Sequence, residues 1–260
     1  MQHTLAPHVD RRTRPLLLLT LWLLLMVPAT VLTLAQLPLF PWMPLDGIAA
    51  DVVYAITFSG TAPWGAISAA AVALLAFLRL SHPQAIKLLL ALGLSLGSSL
   101  WLNESLKTHF DEPRPNVLFL SKHKLLDSDD FYRLHKADRR TQMTTLFAHN
   151  PSVLPPMNPR IASHWQQEVG LSFPSGHTLF ATILALTASW FFIASGHWGT
   201  CALLGVWALA MGGSRMLLGM HHSQDVMAAT ALSLPLSVMG IMMASWLGPR
   251  LFKSRQDPPV

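Results

Sequence analysis

The chain has 260 residues, of which 52% are hydrophobic and only 12% are charged, and its formal net charge is +5. Soluble domains carry about 25% charged residues, so the composition excludes an ordinary soluble domain and indicates a polytopic membrane protein. The basic residues lie in short flanks and one loop rather than along one polar face, which argues against nucleic-acid binding and for cytoplasmic anchoring and an anionic ligand.

Six apolar runs approach the length of about 20 residues that a spanning helix needs. In chain order they cover about 15–37, 61–80, 86–106, 177–195, 199–218 and 225–247. The first run follows a basic flank and resembles a secretory signal, but its length, the internal Pro28 and the lack of a clean Ala-x-Ala site favour a retained helix. We therefore predict an all-α protein of one membrane domain over residues 1–260. It has six transmembrane helices and a helical extramembrane loop, at about 107–173, between the third and fourth.

The orientation of the chain follows from the enrichment of Lys and Arg in cytoplasmic connections. Six spans place the N-terminal flank, the second-to-third connection and the C-terminal tail on one side. These segments hold Arg11, Arg12, Arg14, Arg79, Lys87, Arg250, Lys253 and Arg255. Both termini are thus expected in the cytoplasm, and the first connection, with Asp46 and Asp51 and no basic residue, on the far side. The long loop is also expected outside although it holds nine basic residues, because long loops follow this rule weakly.

The long loop contains two patterns typical of short helices. Ser128 is a candidate N-cap, followed by acidic residues that favour a helix N-terminus. Asn158 is a second candidate N-cap, with Pro159 at the first helical position and Gly170 as the C-terminal cap. We expect two amphipathic helices that lie near the membrane surface over the site. The alternative is a mobile polar loop.

The last of three polar motifs is Ser214-Arg215, followed after five residues by His221 and then by Asp225. Residues four apart share one helix face, so Asp225 can hydrogen-bond His221 and leave its other nitrogen free to attack. His222 competes for the same carboxylate, and spacing alone leaves both histidines open. The planar guanidinium of Arg215 suits phosphate oxygens, and its alternative is a structural ion pair with Asp225.

The middle motif is Pro174-Ser175-Gly176-His177, at the start of the fourth predicted span. Free backbone N–H groups at a helix N-terminus bind anions, and Gly176 allows the backbone to approach the ligand. His177 would then be close enough to protonate a leaving oxygen. Taken alone, this motif is equally typical of an ordinary helix start.

The first motif is Lys107, followed after six residues by Arg114-Pro115. Pro113 and Pro115 exclude a regular helix through Arg114, so Lys107 ends the third helix while Arg114 turns back. Two cations from different backbone segments can grip one phosphate from two sides. The alternative is two interfacial cations with no ligand.

All three motifs meet at one boundary in the predicted topology. The first ends the third helix, the second opens the fourth, and the third joins the fifth to the sixth, so all face the outer side. The sequence shows no His-Glu-x-x-His motif and no paired carboxylates, and its single Cys201 excludes an intrachain disulfide and a cysteine-rich metal site. Three cations beside two histidines favour an oxyanion, so we expect no metal and no cofactor.

In combination the three motifs resemble the type-2 phosphatidic-acid phosphatase superfamily of membrane lipid phosphatases, which is similar to vanadium haloperoxidases. The resemblance covers nearly the whole chain and extends to the segments 163–168, 130–132 and 213–215. It implies a six-helix membrane bundle with the site at the outer face. It also selects His221 over His222, because the family spacing from Arg215 points to His221.

The resemblance implies a role for each motif residue. His221 would become phosphorylated, Asp225 would orient it, and His177 would be the general acid and then the base. The phosphate would be held by Lys107, Arg114, Arg215 and the backbone of Ser175 and Gly176.

The resemblance also implies the substrates and the location. Family substrates are phosphatidylglycerol phosphate, phosphatidic acid, related lipid phosphates and undecaprenyl diphosphate. The expected protein is a metal-free lipid phosphatase of the bacterial cytoplasmic membrane, with its site on the periplasmic side. Its expected partners are the lipid substrate and the bilayer, with no nucleic acid and no obligate protein partner evident. The rival functions are a vanadate-loaded peroxidase and a lipid carrier that uses its cations only to bind head groups.

Overall fold

The apolar runs form helices whose ends coincide with breaks in the sequence. The computed structural model describes Asp10, residues 12–150 and residues 154–253, with side chains up to residue 248. Eleven helices occur in this described part of the chain. They are α1 (Thr13–Leu34), α2 (Gly47–Ser59), α3 (Trp64–Arg79), α4 (His82–Phe110), α5 (Pro115–Lys122), α6 (Ser128–Arg133), α7 (Lys136–His149), α8 (Pro159–Gln167), α9 (Gly176–Ala194), α10 (Trp198–Leu217) and α11 (Ser223–Lys253).

Five stretches of helix are long and apolar enough to cross a membrane, and the bent pair of α2 and α3 is a sixth when it is counted as one span. The prediction of an all-α protein with several spanning helices is therefore confirmed, with five to six spans. The second span differs from the predicted 61–80, since α3 alone has 16 residues and α2 precedes it at an angle of 70°. The helix α2 was not predicted, since Asp51 interrupts its apolar pattern. Asp51 is exposed on α2 and accepts a hydrogen bond from Asn158.

The helices pack around α9, most of whose residues are buried. It contacts α1, α4, α10 and α11, while α1 keeps a largely apolar outer surface. The helices α4 and α11 approach closely at Gly240, where a Cβ would lie 2.1 Å from Ser95 Oγ and 2.6 Å from the Ala91 carbonyl. Small residues allow such contacts between spanning helices. The bundle thus holds the ends of α4, α9, α10 and α11 in one arrangement.

The two ends of the bundle differ in charge and in polar contacts. At one end, the Arg14 guanidinium lies 5.2 Å from the centre of the Trp190 ring, and His197 Nε2 lies 2.9 Å from the Arg79 carbonyl. At the other end, α4 finishes at Asp111, whose φ of 44° ends the helix, and α9 begins. Of the basic residues used to predict orientation, Arg11 and Arg255 and the side chains of Arg250 and Lys253 lie outside the described parts of the structure.

The loop between α4 and α9 forms a helical cap over this second end. Apolar side chains of α5 to α8 pack there against Leu218 and Met220 from the turn after α10. The cap has more helices than predicted, and their apolar faces pack against each other. Asn158 is the N-cap of α8, as predicted, and its side chain accepts from the Arg160 amide. The N-cap of α6 is Asp127 rather than Ser128.

Gly170 was predicted as the C-terminal cap of the last helix in the loop between α4 and α9, and this prediction is wrong. The helix α8 ends at Gln167, with Glu168 as its cap, rather than at Gly170. The Gly170 carbonyl instead accepts a hydrogen bond of 2.6 Å from Arg114 Nε. The chain therefore leaves the helix early and places both Glu168 and Gly170 beside this arginine.

Candidate active site

The turn between α10 and α11 positions His221. The amides of Met220 and His221 donate to the Arg215 carbonyl, at 3.0 and 3.2 Å. Gly219 has a φ of +68°, the left-handed region that glycine adopts without strain, and a Cβ there would lie 3.0 Å from the Phe40 ring. The Gly219 carbonyl accepts from the Asn116 amide at 2.8 Å, so α5 holds the turn from outside.

His221 lies two residues before the start of α11 and its ring meets Asp225, which is in the first turn of that helix, so the predicted pair is in contact. His221 Nδ1 lies 3.4 Å from Asp225 Oδ2, and both side chains are buried. The same oxygen accepts from the His222 amide at 2.8 Å and from the Ser172 hydroxyl. The His222 ring points elsewhere, with its Nε2 3.1 Å from the Pro113 carbonyl. The carboxylate therefore faces the His221 ring.

Two buried arginines from separate motifs meet at one carboxylate, Glu168. Arg114 Nη2 lies 3.2 Å from Glu168 Oε2, and Arg215 Nη2 lies 3.7 Å from the same oxygen. The two arginine side chains are 3% and 0% exposed. Arg215 Nη1 also lies 2.8 Å from His164 Nε2. The alternative ion pair of Arg215 with Asp225 is thus replaced by one with Glu168.

The titration of the cap residues follows from these contacts. Burial alone would raise the pKa of Glu168, but the charges of Arg114 and Arg215 outweigh burial and hold it well below its ordinary value. Burial, followed by the charge of Arg215, lowers the pKa of His164 to about 3. His164 is therefore neutral at physiological pH, and its Nε2 lone pair accepts the hydrogen bond from Arg215.

Residues of all three motifs lie close enough to His221 to affect its pKa. Burial lowers its pKa well below 6.5, and the charges of Arg114, Arg215 and Lys107 lower it further, with a smaller effect of His177. The ring is thus neutral at physiological pH. The Lys107 side chain is 20% exposed, and its Nζ lies 4.0 Å from Glu104 Oε1 on the same helix. All three predicted cations therefore act on one imidazole.

The start of α9 lies beside this cluster. The Ser175 side chain accepts from the Thr178 amide at 3.4 Å and caps the helix, while the Ser175 amide itself donates to the Asp225 carbonyl at 3.3 Å. A Cβ on Gly176 would lie 3.3 Å from Asn103 Nδ2. The buried Asn103 lies four residues before Lys107 and so brings α4 against this helix start.

Several contacts at the site had no predicted role in the sequence. They involve Thr61, Asn103, His164, Glu168 and Ser172. His164 and Glu168 lie in the segment 163–168, which the family resemblance included without a role. No group of three or more His, Cys, Asp or Glu side chains that could hold a metal ion occurs among residues 10, 12–150 and 154–253.

A cavity of about 770 Å³ opens beside His221. It lies between the α1–α2 connection, α5 and the start of α11. It is lined by Lys122 and His123 as well as by apolar side chains such as Leu39 and Phe119. The cavity therefore gives access to His221 from the end of the bundle at which α1 finishes.

The family model of the PAP2 superfamily matches residues 88–248, a range that includes all three motifs. The chain belongs to this superfamily, and the resemblance inferred from the motifs is confirmed.

Among curated proteins, the chain is similar to phosphatidylglycerophosphatase B of Escherichia coli (strain K12), with 38% identity over 147 residues. That alignment covers 56% of this chain and 54% of the relative, so the chain spans about half the length of this relative. Phosphatidylglycerophosphatase B of Haemophilus influenzae is 32% identical over 189 residues, which are 70% of this chain and 76% of the relative.

Proposed function

We propose that the chain is an integral membrane lipid phosphatase that transfers a phosphoryl group to His221 and then to water. The observation that carries the proposal is the state of His221. This neutral, buried imidazole lies against Asp225 and is surrounded by the charges of Lys107, Arg114 and Arg215. A neutral nitrogen can attack phosphorus, and fixed cations stabilise the charge that develops on the phosphoryl oxygens.

The phosphate would bind the N–H groups of the two guanidiniums that Glu168 leaves without a partner, Arg114 Nη1 and Arg215 Nε, with Lys107 and the start of α9 completing the contacts. The Gly170 carbonyl and His164 hold the arginines before any ligand arrives. Preorganised donors of this kind need little rearrangement when charge develops. The backbone of Ser175 and Gly176 would contribute from the helix N-terminus, and the long 3.3 Å bond of the Ser175 amide can be exchanged for a phosphate oxygen.

The reaction has two steps. In the first, His221 Nε2 forms a bond to phosphorus, the bond to the leaving oxygen breaks, and His177 gives that oxygen a proton. Asp225 keeps the Nδ1 proton of His221 in place and stabilises the cationic phosphohistidine. In the second, His177 takes a proton from water, whose oxygen attacks phosphorus and releases His221 and inorganic phosphate. No metal and no cofactor is needed in this scheme, because the three cations supply the charge neutralisation.

The polarity of the bundle supports a periplasmic site. Arg14 and Arg79 lie at the end opposite to the motifs, and Lys and Arg mark cytoplasmic ends. We therefore propose a multi-pass protein of a bacterial cytoplasmic membrane with cytoplasmic termini. The absence of an obligate protein partner stays a prediction.

Phosphatidylglycerol phosphate is the first substrate we propose, since relatives at 32% and 38% identity are named for its hydrolysis. We extend the proposal to phosphatidic acid, related lipid phosphates and undecaprenyl diphosphate. All of them present a terminal phosphate at the membrane boundary, and the described polar contacts of the site are suited to that group rather than to a particular head group.

The test is phosphate release from phosphatidylglycerol phosphate by detergent-purified protein in excess EDTA. Wild type should be active, and His221→Ala should lose at least about 1,000-fold in kcat because the nucleophile is gone. His222→Ala is the matched control, since it removes a neighbouring ring that faces Pro113 and keeps the amide that contacts Asp225. Half of the activity surviving in His221→Ala would overturn the nucleophile. No release from any of the proposed lipids would favour the carrier.

A further inference from the structure

The bend between α2 and α3 places a hydroxyl group against one of the two histidines. Thr61 Oγ1 lies 2.9 Å from His177 Nε2, although the residues are 116 positions apart. Gly60 allows this approach, because a Cβ there would lie 2.7 Å from Met211 Cε and 3.4 Å from His177 Cδ2. The contact thus depends on the bend and on the absence of a side chain beside it.

The bend is held to α10 by side-chain hydrogen bonds. Thr57 Oγ1 lies 2.7 Å from Ser214 Oγ, and Trp207 Nε1 donates to Ser59 Oγ at 2.9 Å. Ser68 from α3 donates to the Ser59 carbonyl at 2.8 Å and closes the bend from the other side. The position of Thr61 is therefore determined by contacts that do not include His177.

The hydrogen bonds of Thr61 favour a proton on His177 Nε2. The Thr61 hydroxyl has one proton, and the Thr57 carbonyl, 3.1 Å away, can only accept it. With that proton on the Thr57 side, the hydroxyl accepts from His177, whose Nε2 then carries a proton. An acceptor on one ring nitrogen determines the tautomer and the orientation of an imidazole. Proton exchange with a ligand then falls to Nδ1.

We propose that Thr61 is a positioning residue for His177, an inference that rests on the proposed acid–base role of that histidine. By accepting from Nε2, Thr61 orients the ring and stabilises its protonated form. In the first step Nδ1 gives its proton to the leaving oxygen as the phosphorus–oxygen bond breaks. In the second step Nδ1 takes a proton from water, while the other proton stays on Nε2 and is donated to Thr61 Oγ1 throughout.

The test separates proton donation from general damage by using two leaving groups. Dihexanoyl phosphatidic acid releases an alkoxide that needs a proton, whereas 4-nitrophenyl phosphate releases a phenolate that does not. Thr61→Val keeps the shape and removes the acceptor, so kcat for phosphatidic acid should fall about 10- to 100-fold, as expected for a lost hydrogen bond to a charged group. The fall for 4-nitrophenyl phosphate should be several-fold smaller. Thr61→Ser should restore both rates.

Two controls accompany these variants. Thr20→Val removes a hydroxyl that bonds only the Leu16 carbonyl of its own helix, and it should change neither rate. His177→Ala should show the same preference for the nitrophenyl substrate, but more strongly. Thr61→Ala provides the same comparison if Thr61→Val does not fold.

The pH profile of kcat on phosphatidic acid is a second readout. The basic limb, where the acid loses its proton, should move to lower pH in Thr61→Val. The charged or titratable groups near His177 are Arg215, Glu168, His164 and Arg114, and they are the same in both proteins. Equal losses on both substrates, an unmoved basic limb or no rescue by serine would each overturn the role of Thr61. If His177→Ala itself lacks a substrate preference, the proposed acid is wrong instead.

Discussion

Replacing Glu168 with glutamine tests whether the two arginines form an anion site. The carboxylate is the shared partner of Arg114 and Arg215, at 3.2 and 3.7 Å. The substitution keeps the size of the side chain and removes its charge. Two buried guanidiniums then remain close together without their counter-ion.

The size of the effect follows from these distances. At an effective dielectric constant of about 20, the two interactions amount to roughly 5 and 4.5 kcal/mol before the cost of burying the charges is subtracted. Removing one partner of a buried ion pair typically costs about 3–5 kcal/mol, because it leaves an uncompensated charge. For a chain of this size that corresponds to a fall in Tm of roughly 6–20 °C.

Thermal unfolding in detergent at pH 7, with and without inorganic phosphate, measures this effect. Phosphate should raise the Tm of Glu168→Gln more than that of wild type, since it supplies the missing negative charge and binds the folded state. Asp130→Asn is the matched control, because its pair with Arg133 is exposed and contributes little. A Tm of Glu168→Gln within 2 °C of wild type, or equal stabilisation of both proteins by phosphate, would refute the reasoning.

Two further predictions concern stability. His164 is uncharged in the folded state, with its pKa lowered to about 3, so the unfolded chain binds the extra proton and stability falls as pH drops below 6.5. At pH 5 the loss in the free energy of unfolding amounts to about 2 kcal/mol. A plot of Tm against pH should therefore be flatter for His164→Gln than for wild type, and parallel plots would contradict the lowered pKa of His164. Gly240→Ala should lower the Tm by about 2–12 °C, as an overpacked helix contact costs about 1–3 kcal/mol. Gly93→Ala, with open space around its Cβ, should not lower it, and equal Tm values for the two variants would contradict the close packing of α4 on α11.

Features that depend on neighbouring residues were predictable from the sequence. The apolar runs predicted the spanning helices, and Asn158 before Pro159 predicted the start of α8, because capping and hydrophobicity act within one or two turns. The prolines around Arg114 predicted the end of α4 for the same reason. The contact of His221 with Asp225 was predicted from a shared helix face, but His221 lies two residues before α11, and the turn after α10 brings its ring to Asp225.

Tertiary structure alone decided which distant groups meet. The bend of α2 on α3 and the contact of Thr61 with His177 join residues 116 positions apart, and Ser172 reaches Asp225 across 53. Glu168 lies between two arginines because α8 ends three residues before Gly170 and the cap folds over the bundle. No local pattern encodes these distances, since they arise from how the helices pack. The candidate site residues could thus be named from the sequence, while their orientation, charge balance and protonation depend on the packed bundle.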